Sequence, residues 1–282
     1  LHYPLRRQRQ MCIRDSPKAG TKNPEVKLGI IELESAKIKW VELGQYEYLC
    51  RVKWLPGNRR LSIQTMNRAQ DKLDLYFVDR ATGKNIEKII TETDDGWVNI
   101  NDDLYFLKNS FIWQSERDGY AHLYQFSYNG KLVNQITSGD WALRSSGGPF
   151  WLRQSVVNID EKEEEIYFTS LKESSIERHL YRSSIDGSNM EKISDQKGVH
   201  KINFSNNGNF YLDIHSDAAS PPTLVLYKND GKKVHTLVGD RPEIISEYDL
   251  QTPELFTIPV SYTHLRAHET PEHLVCRLLL EK

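Results

Sequence analysis

The stretch YFVDRATGKNIEKIIT at residues 76–91 decides the fold, because versions of it recur three more times along the chain. Each copy is an aromatic and β-branched run, a turn containing glycine and a second run, which is typical of a β-hairpin. The leading tyrosines lie 48, 57 and 46 residues apart. A period of roughly fifty residues with strand patterning predicts a β-propeller with one four-stranded blade per repeat. The other copies are YQFSYNGKLVNQIT at 124–137, YRSSIDGSNMEKIS at 181–194 and YKNDGKKVHTLV at 227–238.

Outward from these hairpins, alternating apolar runs predict four complete blades, over 48–91, 104–137, 155–194 and 201–237. Two earlier runs, at 26–32 and 37–42, predict the last two strands of another blade. The fold class is therefore all-β, a partial β-propeller of about four and a half four-stranded blades. Helical periodicity is weak throughout residues 16–260, and residues 243–260 are predicted to be a tether that leaves the propeller.

The two ends of the chain differ in composition from the repeats. Residues 1–15 carry four arginines without strand or helix patterning, and residues 261–282 switch to a histidine-rich, helix-like composition. Both strings resemble conceptual translations of sequencing-adaptor DNA, a contaminant of assembled metagenomic reads. We therefore expect artefactual tails at 1–15 and 261–282, flanking the C-terminal half of a β-propeller domain at 16–260.

Composition excludes several functional classes. The chain has 282 residues and net charge −2; without the predicted tails it has 30 basic and 35 acidic residues. This mild acidity gives no reason to expect a nucleic acid or an anionic membrane as partner. The sequence contains no run of eighteen apolar residues, so it predicts no membrane-spanning helix. Cys50 is the only cysteine outside the tails, so no internal disulfide can form there. No motif indicates a cofactor or metal.

Several strings give a more specific likeness than the repeat does. They are SPKAGTKNPEVKLGIIEL (16–33), YEYLCRVKWLP (46–56), DDGWVNI (94–100), SERDGYAHLYQF (115–126), ITSGDW (136–141) and PELFTIPV (253–260). In this order they resemble the N-terminal propeller domain of the dipeptidyl peptidase IV family, within the prolyl oligopeptidase superfamily. The resemblance implies an eight-bladed propeller followed by an α/β-hydrolase domain, with this chain supplying the second half of the propeller.

The loop at residues 94–101 is the best candidate for a functional site. In the resembled family, residues just after Gly-Trp-Val approach the substrate pocket, which makes Trp97, Asn99 and Asn101 a candidate lip of that pocket. Relatives can carry a basic or aromatic residue where this chain has asparagine. The alternative is an ordinary connection between blades, with Trp97 as a packing residue.

Other candidate motifs favour structural interpretations. No Gly-x-Ser-x-Gly nucleophile motif occurs, and Ser145-Ser146 in RSSGG at 144–148 fits a surface loop because no helix is predicted to follow. Glu163-Glu164-Glu165 fits a solvated hairpin tip rather than the family's paired glutamates, which are expected to be absent. His268 and His273 are five apart with Pro271 between them, unlike a zinc helix. His122 is expected to hydrogen-bond within its own blade.

The resemblance implies a non-catalytic propeller fragment of a post-proline serine dipeptidyl aminopeptidase, which caps the active site and gates peptide access. The chain alone is expected to be inactive. The implied partners are a peptide substrate of the parent enzyme, the missing α/β-hydrolase domain and the other half of the propeller. The resemblance also implies a periplasmic or secreted protein and allows a homodimeric parent. The alternative is a stand-alone periplasmic β-propeller that binds or scaffolds other proteins.

Overall fold

The computed structural model describes residues 22–84, 86–100, 102–146 and 154–248, together with Gln251 and Pro253. Within these residues the chain is nearly all β-structure, as predicted. The strands are β1 Gly29–Ile31, β2 Ile38–Trp40, β3 Tyr48–Trp54, β4 Arg60–Met66, β5 Lys72–Asp79, β6 Glu87–Thr93, β7 Leu104–Phe106, β8 Ser110–Ser115, β9 His122–Ser127, β10 Leu132–Gln135, β11 Val156–Asp160, β12 Glu165–Ser170, β13 His179–Ser184, β14 Glu191–Lys192, β15 Val199–Phe204, β16 Phe210–Ser216, β17 Thr223–Lys228 and β18 Lys233–Val238.

These strands form five antiparallel sheets in chain order. Sheet I pairs β1 with β2, and four four-stranded sheets follow: sheet II (β3–β6), sheet III (β7–β10), sheet IV (β11–β14) and sheet V (β15–β18). Each strand pairs with the next one along the chain, so every sheet is an up-and-down meander. Two strands plus four complete sheets confirm the predicted four and a half blades.

The sheets stack face to face, because an apolar cluster lies between each consecutive pair. One cluster joins Phe77 of sheet II to Phe111 and Trp113 of sheet III, whereas Ile112 belongs to the next cluster, with Phe168 of sheet IV. This alternation of neighbours between two cores follows from the two-residue period of a strand. Further clusters join sheet I to sheet II and sheet IV to sheet V. Sheets II, III and IV therefore contribute to a core on both faces.

The glycine of each repeated hairpin packs against the preceding sheet. A Cβ on Gly130 would collide with the carbonyl oxygen of Ile89 in β6, and one on Gly187 would lie 2.7 Å from that of Gln135 in β10. A Cβ on Gly83 would lie 3.1 Å from the Trp40 carbonyl oxygen, and one on Gly231 would lie 3.0 Å from the Ile193 side chain. The glycine repeat therefore records close contact between sheets, in addition to the positive φ of the turn.

Polar contacts tie the first strands of consecutive sheets together. Arg51 on β3 donates to the Asp102 carboxylate at 2.6 Å, just before β7. The Asp103 carboxylate accepts the backbone N–H of Ser155 at 2.7 Å, just before β11. Because each complete sheet has four antiparallel strands, all connections between sheets lie at the end where the first strands begin, here called the loop end.

The tether predicted at 243–260 begins with a six-residue helix, α1, at Pro242–Glu247, which the sequence pattern did not predict. Proline suits the first helical turn, where its missing N–H has no intrahelical partner, and Glu243 carries the charge sign preferred there. One and a half turns are too short to show periodicity in the sequence. Helix α1 and Ala218–Pro221 belong to a compact unit separate from that of the sheets. No helix among the described residues is both long and apolar enough to cross a bilayer.

Candidate functional site

The connection between β6 and β7 is anchored at both ends of its exposed part. The backbone N–H of Asp94 donates to Asp71 at 3.0 Å, and that of Val98 donates to Gln70 at 2.9 Å. Inside the loop, the Asp94 carboxylate accepts the N–H groups of Gly96 and Trp97, at 2.7 and 3.0 Å. These backbone hydrogen bonds lower the pKa of Asp94, Gly96 contributing most. The loop is therefore held both by hydrogen bonds within it and by two hydrogen bonds to the turn between β4 and β5.

Packing divides the residues of this loop between core and solvent. Val98 is buried in the core between sheets II and III, and Ile100 packs against that core. Trp97 is 55% exposed. The packing residue of this loop is therefore Val98, and not Trp97 as the alternative interpretation had it.

Asn99 connects the loop to the neighbouring sheet. Its side-chain amide donates to the Glu116 carboxylate at 2.6 Å, at the loop end of β8. Trp97 and Asn99 both line a small cleft between sheets II and III, which the turn after β8 closes with Glu116 and Arg117. The structure thus brings together two of the three predicted residues; Asn101 lies outside the described residues.

The floor of the cleft is a partly buried carboxylate network centred on Glu92. Its oxygens accept the indole N–H of Trp113 at 2.9 Å, the hydroxyl of Ser115 at 2.9 Å and the Arg117 guanidinium. The Arg117 guanidinium also lies over the Tyr124 and Phe126 rings, at 4.9 and 5.2 Å. Charge on the floor is therefore paired within the protein. The Trp97 indole at the rim is exposed to solvent.

The cleft is suited to contact and orientation. Its volume is about 40 Å³, so it could admit the edge of a side chain but not a whole peptide. An exposed indole offers apolar area and a π face, and the Asn99 amide offers a polar contact. Among the described residues there is no cluster of histidine, cysteine and carboxylate side chains able to hold a metal ion.

The remaining candidates occupy structural positions where they are described. Glu163 and Glu164 are exposed in the turn between β11 and β12, as predicted for a solvated tip. His122 hydrogen-bonds within its own sheet, as expected, and its partners are Thr137 and the Gly139 carbonyl. Ser146 is buried, unlike the surface-loop residue that was predicted, and its hydroxyl donates to the backbone carbonyl of Ile202 in β15. Gly147, Gly148, His268 and His273 lie outside the described residues.

Sequence reasoning missed the residues that build the floor. Ser115, Glu116 and Arg117 stand in the SERDGY string used for the family likeness, but nothing there assigned them to a cleft. Glu92 gives no local signal at all. Its position beside Trp113 depends on how sheet II stacks on sheet III, which is a tertiary property.

Comparison with known proteins identifies the family. The family model for the dipeptidyl peptidase IV (DPP IV) N-terminal region matches residues 8–222. This chain belongs to that family. A probable dipeptidyl peptidase 4 of Aspergillus flavus is 26% identical over 266 residues, covering 86% of this chain and 33% of the relative. A probable dipeptidyl-aminopeptidase B of Emericella nidulans is 26% identical over 283 residues, covering 91% of this chain and 30% of the relative.

Two solved structures share the fold of this chain. The crystal structure of Porphyromonas gingivalis dipeptidyl peptidase 4 superimposes with a TM-score of 0.72 at 25% identity, covering 88% of this chain and 34% of that one. A putative dipeptidyl aminopeptidase IV from Bacteroides ovatus shares the fold with a TM-score of 0.69 at 21% identity, covering 80% of this chain and 34% of that one. The chain thus spans about a third of the length of these relatives.

Proposed function

We propose that this chain is the non-catalytic propeller part of a serine dipeptidyl aminopeptidase, where it caps the active site and gates the access of peptides. The names of its relatives and its family membership support a peptide-processing parent. Within that proposal, residues 16–260 are the C-terminal half of the propeller, flanked by foreign tails. Its partners are a hydrolase domain and the other blades, in a periplasmic or secreted protein.

The observation that carries the proposal is the exposed Trp97 on a rigid loop. An exposed indole offers a large apolar area and a π face for contact with another molecule. The Asp94 hydrogen bonds and the burial of Val98 hold that indole in place, which lowers the entropy lost on binding. Asn99 adds a polar group beside it. Together they form the proposed lip of the substrate pocket, with Asn101 as its third member.

The lip is tested in the longer protein that contains this chain. Trp97→Ala should raise KM for an N-terminally free Xaa-Pro chromogenic substrate by about tenfold, with kcat nearly unchanged, because uniform binding is removed. Trp54→Ala is the matched control: Trp54 is 48% exposed, but at the opposite end of sheet II. If the two variants have the same KM and kcat, Trp97 is not part of the substrate site.

The non-catalytic role is tested on the 282-residue chain itself. We expect no turnover of the same substrate above a denatured control. Turnover that survives purification to homogeneity would contradict the assignment of this chain to a capping role.

A further inference from the structure

Two arginines lie near each other at the loop end of sheet IV. Leu143 forms an antiparallel bridge with Ser170 at the end of β12, and Ser170 pairs on its other side with His179 of β13. Arg144 and Arg178 are the chain neighbours of Leu143 and His179. Their backbones are therefore about two strand spacings apart across the sheet and two residues apart along it, roughly 12 Å. Two arginine side chains are long enough to close that gap.

Both arginines start from rigid backbone. The N–H of Arg144 donates to the Thr169 carbonyl at 3.0 Å, and its own carbonyl accepts the Thr169 hydroxyl. The N–H of Arg178 donates to Gly198 at 2.9 Å, and its carbonyl accepts the N–H of His200 at 3.0 Å. Sheets IV and V thus fix where both side chains begin, as a preorganised binding site requires.

The positive charge at this position is not neutralised within the described part of the chain. There, neither guanidinium forms an ion pair or a side-chain hydrogen bond, and the buried Nε of Arg178 has no acceptor. Burial lowers the pKa of Arg178, and the charge of Arg144 lowers it further. A partly buried cation without a counter-charge is destabilising, and an anion that binds both guanidinium groups would relieve this.

Nearby carboxylates are engaged elsewhere. Glu177, which precedes Arg178, accepts a hydrogen bond from Nε2 of His179 at 2.9 Å. Glu173 accepts the Tyr181 hydroxyl at 3.0 Å and lies 3.5 Å from Lys192. Neither glutamate therefore serves as counter-ion to the arginine pair.

We propose that Arg144 and Arg178 form a binding site for a carboxylate group of a bound peptide. Guanidinium groups match carboxylates with paired, charge-assisted hydrogen bonds. That the bound carboxylate belongs to a peptide rests on the proposed function. The site lies at the loop end, as do Trp97 and Asn99. The site would favour peptides with an acidic side chain or free C terminus at a position distant from the N-terminal dipeptide.

The test measures binding of fluorescent peptides to the 282-residue chain by anisotropy. One peptide has a free N-terminal Ala-Pro and a C-terminal glutamate, and its counterpart has glutamine and an amidated C terminus. We expect the wild type to bind the acidic peptide about tenfold more tightly. Arg178→Gln and, independently, the exposed Arg144→Gln should each abolish that preference. Arg59→Gln, at the opposite end of the sheets, should retain it.

Unchanged preference in Arg144→Gln and Arg178→Gln would overturn the site. If sodium acetate at matched ionic strength stabilises the wild type against heat but no peptide preference exists, the site binds small anions adventitiously and the peptide assignment is wrong. This readout needs no catalysis. A failure of the proposed function appears instead as an absence of Xaa-Pro hydrolysis in the longer protein, with the peptide preference intact.

Discussion

Asp103 is a fully buried carboxylate that joins two sheets. One oxygen accepts the N–H and the hydroxyl of Ser155, at 2.7 and 2.6 Å. The other accepts the N–H of Val156 at 3.1 Å and the hydroxyl of Tyr105 at 3.2 Å. Burial nevertheless outweighs these donors and raises the pKa of Asp103 from 3.8 to about 6. A single residue thus makes the contact between sheets III and IV depend on pH.

The sign of this dependence follows from the raised pKa. At low pH the Asp103 carboxyl is protonated in the folded and unfolded chains, and its contribution to stability is fully present. As pH rises, the unfolded chain ionises first, near 3.8, so stability is lost until the folded carboxyl ionises near 6. Asp103→Asn cannot titrate. We expect the stability advantage of the wild type over this variant to shrink by about 2–3 kcal/mol between pH 4 and pH 7.

Urea denaturation at several pH values measures that difference, and the background titration of other groups cancels between the two proteins. A difference that stays constant, or grows with pH, would show that the pKa of Asp103 is not raised. The variant should also be less stable at every pH, because its amide N–H₂ would face backbone donors.

Gly130 provides a second test at the scale of one residue. Gly130→Ala should lower the free energy of unfolding by about 2 kcal/mol more than Gly119→Ala. Both glycines have positive φ, so both substitutions strain the backbone. An alanine methyl at 119 meets nothing within 4 Å, whereas one at 130 collides with the Ile89 carbonyl of the preceding sheet. Equal losses in chemical denaturation would show that the turn can move away from β6.

At the scale of the strand, sheets III and IV each contain the same histidine–hydroxyl link. In sheet III, Nε2 of His122 faces the Gly139 carbonyl and carries the proton, while Nδ1 accepts the Thr137 hydroxyl at 3.0 Å. The same hydroxyl oxygen accepts the N–H of Leu123. In sheet IV, His179 and Ser194 repeat this arrangement with the same spacing of fifteen residues. In each sheet, this link joins the start of the third strand to the segment after the fourth strand.

Thr137→Val removes the hydroxyl of the link in sheet III while nearly keeping the volume of the side chain. Thr137 is buried, so the variant leaves Nδ1 of His122 and the N–H of Leu123 without a partner in the core. We expect a loss of about 2–3 kcal/mol in unfolding free energy. Thr93→Val, on the exposed part of β6, should change it by less than about 0.5 kcal/mol. Similar losses from both substitutions in urea titrations would show that the hydroxyl has no special role.

At the scale of the whole molecule, the first and last sheets each leave apolar surface exposed. In sheet I, Ile38 and Trp40 are 49% and 56% exposed. In sheet V, Ile214 and Leu237 are 39% and 53% exposed. The three sheets between them cover both faces with neighbours. Exposed apolar faces and unpaired strand edges favour association with other chains.

We therefore expect the 282-residue chain to self-associate or to be poorly soluble at concentrations of tens of micromolar. Trp40→Lys and Leu237→Lys should each lower the average mass in light scattering, because a charge on the exposed face opposes its burial. Tyr120→Lys, on an exposed turn of sheet III, is the control and should leave the mass unchanged. A monodisperse, cooperatively folding wild-type monomer would contradict this expectation.

Local pattern determined most of the architecture. Strand type, the hairpin turns and the number of sheets follow from a two-residue period and from glycine at the turns, both of which are properties of neighbouring residues. The first and last residues of β3, β8 and β12 are those that the apolar runs predict. The turn in the loop after β6 follows from local sequence too, because the Asp94 carboxylate accepts the N–H groups of Gly96 and Trp97 within four residues.

The tertiary structure alone decided which distant residues meet. Glu92 reaches Trp113, and Asp103 reaches Ser155, only because the sheets stack in one register. The burial that raises the pKa of Asp103, and that leaves Nε of Arg178 without an acceptor among the described residues, likewise arises only when sheets assemble. Such contacts span about twenty to fifty residues of sequence and leave no periodic mark in it. Their energies depend on desolvation, which no single segment of the chain can determine.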